Sequence, residues 1–140
     1  MSFIIQLNIV DCGSIIVIPE TGYGVKNKCF IKVLYRILFN HHLLMYNTNI
    51  ALSEYEFFML FKEFYHNSPI DVMVISKNTH NIIEDICCQY NLNIKVVFIN
   101  IKEKNVSEPV LMFNKNSKND YYIGFLKDHF LYLEKQIIYN

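Results

Sequence analysis

Hydrophobic positions follow two different periodicities along this chain of 140 residues. From about Lys28 to Asn40 they recur at the spacing of one helical face, with Lys32 and Arg36 on the opposite side. The apolar positions of this face are Phe30, Val33, Leu34, Ile37 and Leu38. The pattern predicts an amphipathic helix, and it is the clearest helix in the chain.

Two further helices are predicted in the middle of the chain. Ser53 with Glu56 three residues later forms a capping-box pattern, and it precedes an apolar stripe. The stripe consists of Phe57, Leu60, Phe61 and Phe64, and we expect it to lie in the core. A third helix begins near Thr79, carries an apolar side that includes Cys87, and ends at Asn91.

Strand-like segments lie on both sides of these helices. Residues 3–10 and 14–18 are short runs rich in Ile and Val around a turn, and a loop with two glycines follows. Four more strands are predicted at 94–101, 110–113, 121–126 and 130–133. Short loops between consecutive strands favour antiparallel pairing. We therefore expect an α+β fold, with a mixed or antiparallel sheet flanked by helices.

Composition indicates one folded domain over residues 1–140. Hydrophobic residues make up 52% of the chain, which is far from the composition of disordered sequences. The length suits a single core, and no linker or repeat divides the chain. The abundance of Asn, Ile, Lys and Tyr is what AT-rich coding gives, and it points to a large DNA virus or an intracellular parasite.

Charge and cysteine usage disfavour several function classes. The formal net charge is zero and the basic residues are scattered, so we expect no nucleic-acid partner. The chain has no basic leader and no apolar run of about 18 residues, which favours a cytoplasmic protein without a membrane span. The cysteines at 12, 29, 87 and 88 form no metal motif, and we expect free thiols, with Cys87 and Cys88 both buried.

The histidines do not predict a metal site. His41, His42, His66 and His80 lack the i, i+4 spacing and the accompanying carboxylates of a metal-binding helix. We expect these four side chains on the surface, and we expect neither a metal nor another cofactor.

Cys29 is the strongest candidate for a nucleophile. It follows a loop with two glycines and lies in the first turn of the best-supported helix. The unpaired N–H groups and the positive end of the helix dipole there stabilise a thiolate and could bind an oxyanion. Lys26 and Lys28 add positive charge. The alternative is that Cys29 is a small core residue at a helix start.

His129 is the matching candidate for a general base. It lies between two strand-like runs, and an imidazole held on a strand can take the thiol proton and return it to a leaving amine. A single histidine in a hairpin can equally be a surface residue. The pair Cys29 and His129 thus predicts thiol chemistry, and partial exposure of Cys29 is expected with it.

Two segments resemble the motifs of ovarian-tumour (OTU) cysteine proteases. That family has a helix-opening motif close to Asp-Gly-Asn-Cys-Leu-Phe and a C-terminal Asn-His-Tyr, and this chain has Lys26-Asn27-Lys28-Cys29-Phe30-Ile31 and Asp128-His129-Phe130. Residues 82–97 are similar to the family's intervening helix, Asn-containing turn and strand. The resemblance covers roughly residues 18–134. It implies a monomeric deubiquitinase that acts on ubiquitin or a ubiquitin-like modifier through Cys29 and His129, in the host cytoplasm if the protein is viral.

The chain also departs from the family pattern. Lys26 replaces the family's acidic residue, and the position that often orients the histidine falls on Leu131. Asp128 is adjacent to His129, but alternation along a strand should turn it away from the ring. The residue that orients His129 is therefore unassigned. The alternatives are a catalytically weak or inactive OTU-like module that binds ubiquitin or another host protein, and an unrelated α+β protein.

Overall fold

A computed structural model describes residues 7–48, 50–61 and 77–135 of the chain. The predictions for residues 3–6, for Phe64 and for His66 lie outside these ranges. The described part combines three helices with a mixed six-stranded sheet and a separate two-stranded sheet, as an α+β fold requires.

The helices are α1 (Cys29–Tyr46), α2 (Glu54–Met59) and α3 (Lys77–Tyr90). α1 buries its predicted apolar face and continues six residues beyond the predicted end at Asn40, to stop where Asn47 adopts a left-handed φ of 53°. The predicted capping box opens α2, because the Ser53 side chain accepts the Glu56 N–H and the Glu56 side chain accepts the Ser53 N–H. No helix in the described ranges is long and apolar enough to cross a membrane.

The strands of the large sheet are β1 (Leu7–Val10), β4 (Asn93–Asn100), β5 (Asn105–Val106), β6 (Leu111–Phe113), β7 (Asp120–Leu126) and β8 (His129–Lys135). Strands β2 (Ile16–Val17) and β3 (Gly24–Val25) form the small one. The turn at 11–13 thus does not join a hairpin, because β1 pairs with β8 and β2 pairs with β3.

The order β1-β8-β7-β4-β5 places β4 and β7 side by side in parallel. Both β5 and β6 pair with β4 in the antiparallel direction. Consecutive strands β6 and β7 therefore do not pair with each other, contrary to the sequence expectation. The last connection is a tight hairpin in which Lys127 and Asp128 both have positive φ, 48° and 62°. Two such residues match the twist of the flanking strands, and they place His129 at the first position of β8.

One face of this sheet packs against α1. The ring of Phe30 meets that of Phe130 edge-on, with ring centroids 5.0 Å apart. The ring centroids of Phe125 and Phe130 are 4.9 Å apart. Aromatic pairs of this kind add to the free energy that area burial alone provides. The start of α1 is consequently fixed against the start of β8. The two candidate site residues, Cys29 and His129, are the first residues of these two elements.

Three burial expectations outside the candidate site were wrong. Cys88 is exposed while Cys87 is buried, because Cys87 lies one turn after the buried Ile83 on the apolar side of α3, and Cys88 is rotated about 100° away from that side. Leu60 follows the last residue of α2 and is 50% exposed, whereas Phe57 and Phe61 are buried as expected. His41 is 1% exposed and belongs to the interior.

Candidate functional site

The thiol of Cys29 lies at the junction of α1 and β8. Cys29 is the first residue of α1, and its Sγ accepts a hydrogen bond from the Phe130 N–H at 3.3 Å. Phe130 directly follows His129, so standard backbone dimensions place the sulfur within about 6 Å of the His129 Cα. The fold thus brings together two positions that are 100 residues apart in the sequence.

The loop before Cys29 is held from two sides. Asn27 has a left-handed φ of 59°, and the Lys28 N–H donates to the Ser14 carbonyl at 2.9 Å. The Lys28 ammonium turns back and donates to the carbonyl oxygens of Lys26 and Asn27, at 3.2 and 3.4 Å. Lys28 is only 5% exposed as a result, so its charge stays close to the thiol-bearing turn.

Cys29 is 2% exposed, which contradicts the expectation of partial accessibility. It belongs to the hydrophobic core together with Phe30 and Phe130. The physical reason is that the edge-on aromatic contact draws the start of β8 over the first turn of α1. A substrate carbonyl could reach the sulfur only after a movement of this junction.

The imidazole of His129 is held by Asp11. Its Nε2 lies 2.9 Å from Asp11 Oδ1, and the same oxygen accepts the Gly13 N–H at 2.8 Å. These two hydrogen bonds, the one from His129 first, lower the pKa of Asp11 below its ordinary value. With Nε2 engaged, Nδ1 is the ring nitrogen that remains for proton exchange.

Sequence reasoning missed Asp11, because it is separated from His129 by 118 positions. The only local signal was Asp11-Cys12-Gly13, a sequence suited to a turn in which the aspartate accepts a backbone N–H two residues on. Of the residues considered for this role, Leu131 is 8% exposed in the core and Asp128 is exposed in the hairpin turn.

His41 forms a separate, structural pair with Tyr121. Its Nε2 lies 2.8 Å from the Tyr90 carbonyl oxygen, which can only accept, so Nε2 carries the proton. Its Nδ1 then accepts the Tyr121 hydroxyl at 2.8 Å. Burial lowers the pKa of His41 and raises that of Tyr121 to about 12, which keeps the imidazole neutral and the hydroxyl protonated.

Within residues 7–48, 50–61 and 77–135, no three or more His, Cys, Asp or Glu side chains form a cluster that could hold a metal ion. The site itself combines a thiol, an imidazole and a carboxylate, those of Cys29, His129 and Asp11. In comparisons with known proteins, no family model matches this chain, and no curated protein or solved structure is significantly similar to it.

Proposed function

We propose that this chain is an OTU-type thiol protease that hydrolyses isopeptide bonds at the C-terminus of ubiquitin or a ubiquitin-like modifier. The observation that carries the proposal is the hydrogen bond from the Phe130 N–H to Cys29 Sγ, which joins a thiol at a helix N-terminus to the residue after His129. The contact of His129 with Asp11 supports the proposal further, because it offers an orienting group where the sequence analysis left this residue unassigned.

In this proposal each residue has one role. His129 takes the thiol proton at Nδ1, and the Cys29 thiolate attacks the carbonyl carbon of the modifier's last residue. The positive end of the α1 dipole and the backbone N–H groups at the start of the helix stabilise the resulting oxyanion. The imidazolium then protonates the leaving lysine amine, and a water molecule hydrolyses the thioester to release the carboxylate and restore the thiol.

Asp11 is the positioning residue of the proposed site. A carboxylate on Nε2 fixes the ring orientation and stabilises the imidazolium that forms during proton transfer. The family's usual position for this role falls on Leu131, and Asp11 acts instead from the loop after β1.

The turn before Cys29 also supports the proposal. Asn27 stands where the OTU motif has glycine, and its φ of 59° lies in the region that glycine enters most readily and asparagine next. The residue that departs from the motif at this position is thus one that adopts a backbone conformation open to glycine.

The principal alternative is a module of the same fold that binds ubiquitin or another host protein without cleaving it. The 2% exposure of Cys29 favours this alternative. A docking surface is available to either function at the end of α1, where four consecutive apolar residues, Leu43, Leu44, Met45 and Tyr46, are 41%, 77%, 52% and 61% exposed.

Incubation with ubiquitin that carries a C-terminal electrophile separates the two functions. We expect a covalent adduct, seen by intact mass, that is lost in Cys29→Ala, strongly reduced in His129→Ala and retained in the control Cys88→Ala, whose thiol is exposed. Binding without an adduct in the wild-type protein would support the module. Neither binding nor adduct would refute both functions toward ubiquitin.

Two carboxylates that flank the site provide a matched comparison for the mechanism. Asp11→Asn should slow adduct formation or cleavage roughly 10²-fold, because the neutral amide does not stabilise the imidazolium and can also turn its NH₂ group toward Nε2. Asp128→Asn should have a mild effect, since Asp128 is exposed in the hairpin turn. Equal losses in the two variants, with unchanged circular dichroism, would contradict the assignment of Asp11.

A further inference from the structure

A cleft of about 380 Å³ opens beside Asp11, between the end of β1, the outer side of α1 and the start of α2. Its apolar lining consists of Val10 and the rings of Tyr35 and Phe39. The volume falls in the range of small ligand pockets. The Tyr35 hydroxyl donates to the Leu52 carbonyl at 2.7 Å, so this side chain is fixed in the wall.

The charged groups of the cleft are not equivalent. Lys32 donates to Glu54 Oε1 at 3.0 Å and to the Ile15 carbonyl at 2.8 Å, and Asp11 is occupied by His129. Within the part of the chain that the structure describes, Arg36 has neither an ion pair nor a hydrogen bond, although it lines the same cleft. Three of the four charged side chains of the lining thus already form ion pairs or hydrogen bonds, and the guanidinium of Arg36 can pair with a ligand.

We propose that this cleft binds a peptide segment in which an acidic side chain pairs with Arg36 and neighbouring apolar side chains pack on Val10, Tyr35 and Phe39. A guanidinium presents a planar fork of donors that matches a carboxylate in a bidentate way. A simple anion would use the guanidinium and leave the apolar wall wet, which is why the lining favours a peptide.

This inference is independent of the thiol chemistry, because binding in the cleft requires no cleavage. If the proposed function also holds, the cleft contributes to the recognition of its substrate. Asp11 lines the cleft and also contacts His129, so a segment bound in the cleft runs beside the His129–Asp11 pair. Substrates with an acidic residue near the scissile bond are then preferred.

The test compares two peptides that differ only in whether they carry a single side-chain carboxylate. We propose titrating the ¹⁵N-labelled protein with Ac-Gly-Leu-Glu-Leu-Gly-NH₂ and with the same peptide carrying Gln in place of Glu, and following the amide signals of Cys12 and Arg36. The Glu peptide should bind about fivefold more tightly than the Gln peptide. Arg36→Gln should abolish this difference, and the control Lys102→Gln, at an exposed position outside the cleft, should preserve it.

Two further measurements complete the test. Cys29→Ala should keep peptide binding unchanged, so that loss of the ubiquitin adduct and loss of peptide binding are read separately. Sodium acetate at the peptide's concentration should not compete. The inference is overturned if the Glu and Gln peptides bind equally, if the difference survives Arg36→Gln, or if acetate displaces the peptide.

Discussion

Replacement of His41 by leucine should destabilise the protein strongly and remove part of its sensitivity to acid. The change fills most of the volume of the ring but leaves two partly buried polar groups, the Tyr121 hydroxyl and the Tyr90 carbonyl, without their hydrogen bonds at 2.8 Å. Each unsatisfied group costs about 1–3 kcal/mol, and the buried leucine offsets part of the total. We expect a loss of about 2–4 kcal/mol in the free energy of unfolding.

The pH dependence has a defined sign. Burial lowers the pKa of His41 below its usual value of 6.5, so below pH 6.5 the unfolded chain takes up a proton that the folded chain refuses. The contribution of His41 is complete above pH 6.5 and declines as the pH falls toward the lowered pKa of the folded state, with a slope of at most about 1.4 kcal/mol per pH unit. His41→Leu has no titrating group there and should lack this slope.

Urea unfolding followed by circular dichroism at pH 7.5, 6.5 and 5.5 measures both effects. The matched control is His42→Leu, the neighbouring residue in α1, which is only half-buried and contacts the Thr48 carbonyl. It should cost less than about 1 kcal/mol. Equal costs for the two variants, or an unchanged difference between wild type and His41→Leu across this pH range, would refute the assignment of His41 as a buried neutral partner of Tyr121.

Two other properties follow from burial and capping. Under native conditions Cys88 should react first with a thiol reagent, because its side chain is exposed. Cys29 should react only as fast as the junction of α1 and β8 opens, and Cys87, whose pKa is also raised by burial, at the rate of unfolding. Rapid labelling of Cys87 in the folded protein, read by peptide mapping, would contradict the packing of α3. Ser53→Ala should lower the free energy of unfolding by about 1 kcal/mol, because alanine has no side-chain oxygen to accept the capped N–H. Ser53→Asp keeps such an oxygen and should retain most of the wild-type stability. Equal stabilities of the two variants in urea would show that the cap is unimportant.

The two halves of the candidate site differed in how well the sequence predicted them. Cys29 and His129 could be chosen locally, since one follows a glycine-bearing loop at a helix start and the other lies between two strand-like runs. Asp11 could not, because its contact with His129 depends on β1 pairing with β8 at the opposite end of the chain. The burial of Cys29 could not be predicted from the sequence either, because it results from the packing of Phe30 on Phe130.

By itself, the sequence determined the elements whose signals are short in range. Helical periodicity, the capping box at Ser53 and the end of α3 at Asn91 depend on residues within one or two turns of one another, and these predictions agree with the structure. Tertiary structure alone decided which strands are neighbours, and with it the parallel pairing of β4 and β7 and the approach of Asp11 to His129. Pairing partners are selected by burial of whole sheet faces, a property that no local stretch of sequence contains.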